Sequence, residues 1–217
     1  MAPFRESPYA QHIPERRVPY RTVKRLLDII VSAGALIVLM PVMLAIAVMI
    51  KIESPGPIIF KQIRIGRRGR PFIFYKFRSM RVNAQELRQL IEHMNEQAGP
   101  IFKIRRDPRV TKVGQFIRKF SLDELPQLIN VLKGDMSVVG PRPMTPVDLN
   151  QCDPQYYWRL AVPPGCTGLW QVSGRSNLTF DEWMRLDMYY VDNMSLWMDV
   201  KILLMTVPAV LRGEGAY

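Results

Sequence analysis

Residues Leu26 to Ile50 form one long apolar run with Pro41 near its middle and basic residues at both ends. A helix crosses a bilayer in roughly 20 residues, and this run reaches that length. Asp28 and Ser32 are its polar exceptions. A proline inside a helix removes one backbone hydrogen bond and clashes one turn back, so Pro41 predicts a kink or break. Arg16, Arg17, Arg21, Lys24 and Arg25 precede the run, and Lys51, Lys61, Arg64, Arg67, Arg68 and Arg70 follow it. Basic residues favour the cytoplasmic side of a membrane, and a simple span would strand one cluster on the wrong side. A helix that dips in, breaks at Pro41 and returns keeps both clusters on one face. The chain is therefore divided into a basic flexible arm over 1–21, a reentrant membrane helix over 22–52 and a cytoplasmic-face domain over 53–217.

The chain has 217 residues, with 30 Lys+Arg against 19 Asp+Glu and a formal net charge of +11. Nucleic acid, an anionic membrane surface and a phosphate-rich substrate all suit that excess. Beside so long an apolar run, anionic membrane lipid is the expected partner and nucleic acid is not. Cys152 and Cys166 have no metal-ligand spacing and suggest no disulfide framework. The run is too long for a signal-peptide core and lacks a small-residue cleavage site, so it reads as a retained anchor.

Ser54 to Pro57 reads as a turn, and the Ile- and Phe-rich segments 58–63 and 71–77, with Gly66 and Gly69 between them, as a hairpin. Its basic tip is expected against lipid headgroups. The periodicity of Leu87, Leu90, Ile91 and Met94 predicts a helix over 83–98. A second helix is expected over 121–133, burying Leu122, Leu125, Ile129 and Leu132 and ending at Gly134. Thr179 and Glu182 have capping-box spacing. Leu196 to Leu211 is apolar but interrupted by Asp199, Lys201 and Pro208, and reads equally as an interfacial or a core helix. The fold class is α/β, rich in α, with a small β-hairpin or sheet.

Only two histidines occur, His12 and His93, so carboxylates are the better candidates for acid, base or nucleophile. In Ser121-Leu122-Asp123-Glu124-Leu125-Pro126, Ser121 and Glu124 have capping-box spacing, and Asp123 complements a helix dipole. The same geometry offers a phosphate-binding helix start and a carboxylate that binds a divalent cation or attacks phosphorus. Val139-Gly140-Pro141-Arg142-Pro143 is either a stiff turn with a solvent-facing Arg142 or a positioned guanidinium matching phosphate oxygens. Gly165 to Arg175 is a strand bend or part of a substrate pocket.

Taken together, these blocks are highly specific. With Lys24-Arg25, Tyr75-Lys76-Phe77-Arg78-Ser79-Met80, Asp107-Pro108-Arg109-Val110-Thr111, Asn130 to Ser137 and Leu186-Asp187-Met188-Tyr189-Tyr190-Val191, the chain closely resembles the bacterial sugar transferase family, the monotopic phosphoglycosyl transferases, over residues 22 to 217. The resemblance implies transfer of a sugar-1-phosphate from a UDP-sugar to undecaprenyl phosphate at the cytoplasmic face of the bacterial inner membrane, with UMP released and Mg²⁺ as cofactor. It implies Asp123 as nucleophile and Glu124 in support, both as metal ligands. Arg142, with Pro141 beside it, is the first candidate for phosphate binding, followed by Arg118, Arg175, Lys76 and Asp187. Gly99 to Lys103 and Gly213 to Tyr217 resemble exopolysaccharide-type, hexose-transferring members. The chain departs from the family in having Met40 where members often place Ser, and reads as the catalytic unit without the N-terminal multi-spanning region of larger members. A homodimer is allowed. The rival reading is a non-enzymatic, membrane-anchored basic protein binding anionic lipid or nucleic acid.

Overall fold

The computed structural model describes residues 20–96, 104 and 106–213. The expected basic arm lies almost wholly outside the described residues, as do Gly99 to Lys103 and residues 214–217. The apolar run forms helix α1, Arg21–Glu53. Its most apolar 18-residue window has a mean hydropathy of 2.7 and is only 11% buried, so α1 is long and apolar enough to cross a membrane. Helical backbone continues through Pro41, so the expected break is not a gap in the helix.

The two ends of α1 pack on the protein while its middle does not. Lys24, Asp28 and Ser32, spaced four apart, are buried on one face of the first turns. Lys24 pairs with Asp199 at 2.7 Å and donates to the Val139 carbonyl. Asp28 accepts from Ser137 Oγ at 3.0 Å and from the Val138 amide at 2.8 Å. The polar exceptions in the run are thus protein-facing. Near the other end, Ile46 and Ile50 join Phe77 and Ile117 in a buried cluster. Between them Ile37, Val38 and Met40 are exposed.

Strands β1, Ile59–Ile65, and β2, Pro71–Phe77, form the expected antiparallel hairpin, in register from Ile59 opposite Phe77 to Ile65 opposite Pro71. Arg68 (φ 55°) and Gly69 (φ 71°) make the left-handed tip. Period-two alternation turns Phe74 and Lys76 to one face of β2 and Phe77 to the other.

Helix α2, Ala84–Leu90, is shorter than expected over 83–98, continuing only as a single turn over Glu92–Met94; Leu90 and Met94 of its anticipated buried face are exposed. Helix α3, Lys112–Lys119, starts on Thr111, whose side chain accepts from the Gly114 amide. Glu53, from the end of α1, accepts from the Lys112 amide at 2.7 Å and the Val113 amide at 3.2 Å, so a carboxylate meets the positive end of α3.

The single helix expected over 121–133 is two pieces. A 3₁₀ turn covers Leu122–Glu124, and α4 runs Gln127–Lys133. Ser121 is left-handed (φ 52°) and makes no capping bond, so the capping box with Glu124 does not form. The buried side of α4 is Gln127, Leu128, Asn130 and Val131, whereas Ile129 is exposed. Asn130 explains the shift: its side chain donates to the Ile73 carbonyl at 2.7 Å and accepts from the Tyr75 amide at 3.1 Å, satisfying the open edge of β2 as another strand would. Gly134 caps α4 in the left-handed region, as expected.

A parallel pair follows: β3, Ser137–Val139, and β4, Gly165–Thr167. Helix α5, Pro146–Asn150, lies between the two strands in the chain and packs on β1, and α6, Leu169–Val172, follows β4. Helix α7, Phe180–Asn193, opens with the expected Thr179–Glu182 capping box. Helix α8, Leu196–Arg212, packs one face on the protein and leaves the other exposed: Asp199 and Ile202 are buried, as a core helix requires, whereas Trp197, Leu204, Val207 and Leu211 are exposed. The main core gathers Phe74, Val131, Met136, Val138, Tyr190 and Ile202 around the hairpin, α4, β3, α7 and α8. The class is that expected, helix-rich α/β with two small sheets.

Candidate active site

The left-handed Ser121 turns the chain sharply between α3 and α4. Its amide donates to the Arg118 carbonyl, and its own carbonyl accepts from the Glu124 amide. A non-glycine residue in that region carries strain, which concentrates at functional positions. The turn carries Asp123 inward until it is 2% exposed. Lys76 of β2 reaches it, with Nζ 2.6 Å from Asp123 Oδ2. The pair is largely buried, with the Asp123 side chain 3% exposed and Lys76 as the cation beside it.

Glu124, about 120° further round the 3₁₀ turn, faces another cation. Arg142 meets it through both terminal nitrogens, at 3.0 Å and 2.6 Å, a bidentate fork. Burial by itself raises the Glu124 carboxyl, but Arg142 and Lys76 overcome it and hold the group at about 2. Arg142 is therefore not solvent-facing.

The position of Arg142 follows from the β3–β4 pair. The Gly140 amide donates to the Thr167 carbonyl and the Gly165 amide to the Pro141 carbonyl, both at 2.9 Å. The backbones approach so closely that a Cβ on Gly165 would lie 2.1 Å from Gly140 N. Only glycine fits there. The Gly140-Pro141-Arg142 segment and the Gly165 to Arg175 loop thus become two walls of one cavity.

That cavity, of about 590 Å³, is lined by Lys76, Arg118, Asp123, Glu124, Arg142 and Arg175, joining sites from β2, α3, the 3₁₀ turn and both glycine segments. Arg118 donates to Ser79 Oγ at 2.9 Å, and burial lowers its guanidinium pKa. Arg175, itself left-handed (φ 51°), donates to the Gln171 carbonyl, yet one of its terminal nitrogens is buried without a protein partner. Trp170 Nε1 and Gln171 Oε1, in the same wall, are likewise unpartnered. Basic side chains outnumber acidic ones around the lining, which suits a polyanion.

Two of the sequence candidates do not reach the cavity. Pro141 is buried and contributes its carbonyl to the β3–β4 pair. Asp187, on α7, is 1% exposed and pairs with Arg159 at 2.6 Å, outside the lining. Its influence is indirect, since Arg159 also donates to the Arg142 carbonyl at 2.6 Å. Burial pushes the Asp187 carboxyl up to about 6 in spite of Arg159. Sequence reasoning missed Arg64 and Arg159. Arg64 lines the cavity and donates to the Pro143 carbonyl, with its guanidinium lowered to about 10 by burial and by Arg142. Neither arginine stands in a patterned motif. Asp107 and Arg109 also line the cavity, and their Asp-Pro-Arg run was a visible signal.

The sequence profile described as "Bacterial sugar transferase" matches residues 19–213. The chain belongs to the bacterial sugar transferase family. Among its relatives are a "Galactosyl transferase CpsE" of Streptococcus agalactiae serotype III, 48% identical over 89% of this chain and 43% of that protein. An "Undecaprenyl-phosphate galactose phosphotransferase" of Salmonella typhimurium is 47% identical over 91% and 42%. An "Exopolysaccharide production protein ExoY" of Rhizobium meliloti is 38% identical over 94% of both chains. The chain thus spans under half the length of the first two relatives and nearly all of the third.

Proposed function

We propose that this chain is a phosphoglycosyl transferase. It moves a hexose-1-phosphate from a UDP-sugar to undecaprenyl phosphate and releases UMP, as the first membrane step of exopolysaccharide or related glycan synthesis. The observation that carries this reading is the buried Asp123, paired with Lys76, in a basic cavity beside the Glu124–Arg142 fork. The name of the Salmonella relative gives the same acceptor and a hexose.

In the first step a carboxylate oxygen of Asp123 attacks the β-phosphorus of the UDP-sugar. A bond forms from that oxygen to phosphorus, and the bond to the bridging oxygen breaks, with its electron pair leaving on UMP. In the second step an oxygen of undecaprenyl phosphate attacks the same phosphorus, and Asp123 departs as a carboxylate. Two steps suit one soluble and one membrane-bound substrate, which need not share the site. Lys76 keeps Asp123 oriented and is placed to follow charge onto the phosphoryl group. Arg142, Arg118 and Arg175 bind phosphate oxygens.

Mg²⁺ is the proposed cofactor. Among the described residues no group of three or more His, Cys, Asp or Glu side chains is assembled. The donor set nevertheless fits Mg²⁺, which takes one or two carboxylates and completes its octahedron with substrate phosphate and water. Asp123 and Glu124 would hold it. When bound, it would offset diphosphate charge and stabilise the leaving UMP.

The membrane part of the proposal is a reentrant α1 on the cytoplasmic face. A straight helix would set Arg25 and Ile50 roughly 37 Å apart at 1.5 Å per residue. A short path joins them through the protein. Arg25 donates to the Val131 carbonyl, Asn130 bonds Tyr75, and Phe77 clusters with Ile50. That path favours a bend near Pro41, with the exposed middle of α1 in lipid.

The test is UMP release from a panel of UDP-sugars by purified protein with Mg²⁺, with and without undecaprenyl phosphate. Asp123→Asn is expected to abolish release and the covalent adduct seen by intact-mass measurement. Full turnover by Asp123→Asn would remove the nucleophile assignment, and salt-sensitive lipid binding without any release would favour the non-enzymatic rival.

A further inference from the structure

Helix α8 is a wall of the active-site cavity as well as an exposed apolar element. Leu203, Thr206 and Val210, on one face of the helix, line the cavity. Two contacts hold α8 in that place. The hydroxyls of Thr206 and of Thr167 on β4 share a hydrogen bond at 2.8 Å. At the end of the helix, Gly213 is left-handed (φ 65°), and a Cβ on it would lie 2.9 Å from the Lys119 carbonyl oxygen. Lys119 adjoins Arg118, part of the basic lining.

The exposed apolar stripe of α8 borders the cavity-facing one. Val207 is 59% exposed and stands four residues after Leu203 and three before Val210. Those are the separations at which side chains on a helix meet. Leu211 is 70% exposed and stands four residues beyond Val207. Leu203 and Val210 are half-buried, so the steps from the cavity lining to Val207 and on to Leu211 pass only apolar side chains. Val172 of α6, which packs on α8, adds further apolar lining.

The cavity thus joins a basic part, at Arg118, Arg142 and Arg175, to an apolar strip that continues onto the surface. A nucleotide sugar, polar along its length, has no use for the strip. A phosphate carrying a long hydrocarbon chain matches both parts. We propose that the isoprenoid chain of the acceptor leaves the cavity over Leu203, Val210 and Val207 and runs on along Leu211, while its phosphate faces the arginines. The inference rests on the transferase reading and adds the path of the acceptor chain to it. From Leu203 to Leu211 is roughly 12 Å at 1.5 Å per residue. The strip therefore contacts the isoprene units nearest the phosphate, and burying them removes apolar surface from water. Val207 and Leu211 become specificity-determining residues for the acceptor and not for the donor.

The experiment separates the two steps, using the full chain at a fixed detergent concentration. Mixing with the UDP-sugar panel and Mg²⁺ gives a burst of UMP and an adduct read by intact mass. Undecaprenyl phosphate is then titrated to follow transfer. V207Q/L211Q is expected to keep the burst and to raise KM for undecaprenyl phosphate about tenfold, the scale of a small change in an apolar site. V207I/L211M, which keeps the strip apolar, is expected to retain the wild-type KM. So is W197Q/M205Q, which removes exposed apolar side chains that stand neither three nor four residues from Leu203, Val207 or Val210. Thermal melts check that all three variants are folded. An unchanged KM in V207Q/L211Q, an equal rise in W197Q/M205Q, or loss of the burst in V207Q/L211Q would each overturn the proposed path. In those cases the wild-type burst leaves the transferase reading standing. A wild type that gives no burst with any UDP-sugar sinks both.

Discussion

Asp123 and Glu124 are neighbours in the chain but have separate partners, and that separation sets their roles. Lys76 and Arg142 come from β2 and the β3 exit, so each carboxylate is matched to a cation distant in sequence. Glu124→Gln leaves Arg142 without its counter-charge in a mostly buried place, with an expected cost of about 1–3 kcal/mol. Its pH dependence has a definite sign. The folded carboxyl sits at about 2, below the ordinary 4.5, so the unfolded chain binds more protons between those values. The stabilisation is fully present above pH 4.5 and is lost as pH falls through about 2. The gap in melting temperature between wild type and Glu124→Gln should therefore be constant near neutrality and shrink below pH 4.5. Asp187 acts one residue removed from the chemistry. Asp187→Asn leaves Arg159 buried and unpaired, with an expected loss of about 3–5 kcal/mol in chemical denaturation. Because Arg159 also holds the Arg142 carbonyl, UDP-sugar KM should rise in whatever variant protein remains folded. Arg159→Lys, which keeps the charge but loses the fork, should raise KM with a smaller stability loss.

Among the elements, α1 shows how an apolar run can mislead about its ends. Its first turns belong to the protein through Lys24, Asp28 and Ser32, and its last through Ile46, Ile50 and Glu53. Only the middle leaves its apolar side chains exposed. Replacing Pro41 restores a backbone hydrogen bond and removes a clash, favouring a straight helix by about 3 kcal/mol. Pro41→Leu is therefore expected to convert part of the population to a membrane-crossing form. A cysteine introduced at Thr22 reads this out: it should label only from the cytoplasmic side in the wild-type background and partly from the opposite side with Pro41→Leu. Equal labelling patterns in both backgrounds would contradict the reentrant bend. Helix α8 presents a second apolar surface, with Trp197, Leu204 and Leu211 exposed while Asp199 locks it to Lys24 and Tyr190. The two elements with exposed apolar faces are thus joined by one buried ion pair.

For the whole molecule, the decisive joint is the β3–β4 pair, which closes the active site from two distant stretches of chain. Gly165→Ala would drive a Cβ into the backbone of Gly140 and Thr167, where no side chain can move aside. The expected cost is about 3 kcal/mol or more, with transferase activity lost along with the fold in a combined melting and UMP-release assay. Charge is also arranged at this scale: one basic cavity holds the Asp123 and Glu124 carboxylates, and a second lies where α1 meets the hairpin tip.

Much of this organisation was legible in the chain. The apolar run with its basic flanks, the hairpin with its glycine-bearing tip, the Thr179–Glu182 cap and the Gly134 stop all depend on near neighbours, and local sequence determines them. Asp123, Glu124, Arg142, Arg118, Arg175 and Lys76 were named as one group through the family resemblance. Other features were decided only by tertiary contact. Ser121 and Glu124 spell a capping box, but the left-handed Ser121 gives Glu124 to Arg142 instead. The apolar periodicity of 121–133 points to Ile129 as buried, but the open edge of β2 needs an amide, so Asn130 turns inward. Asp187 stands in a family motif yet lies behind the cavity, because the buried charge it must satisfy is Arg159. Local pattern records which residues are charged or apolar. Which charge meets which depends on backbone approaches between segments far apart in the chain, such as Gly140 against Gly165, and these exist only in the folded molecule.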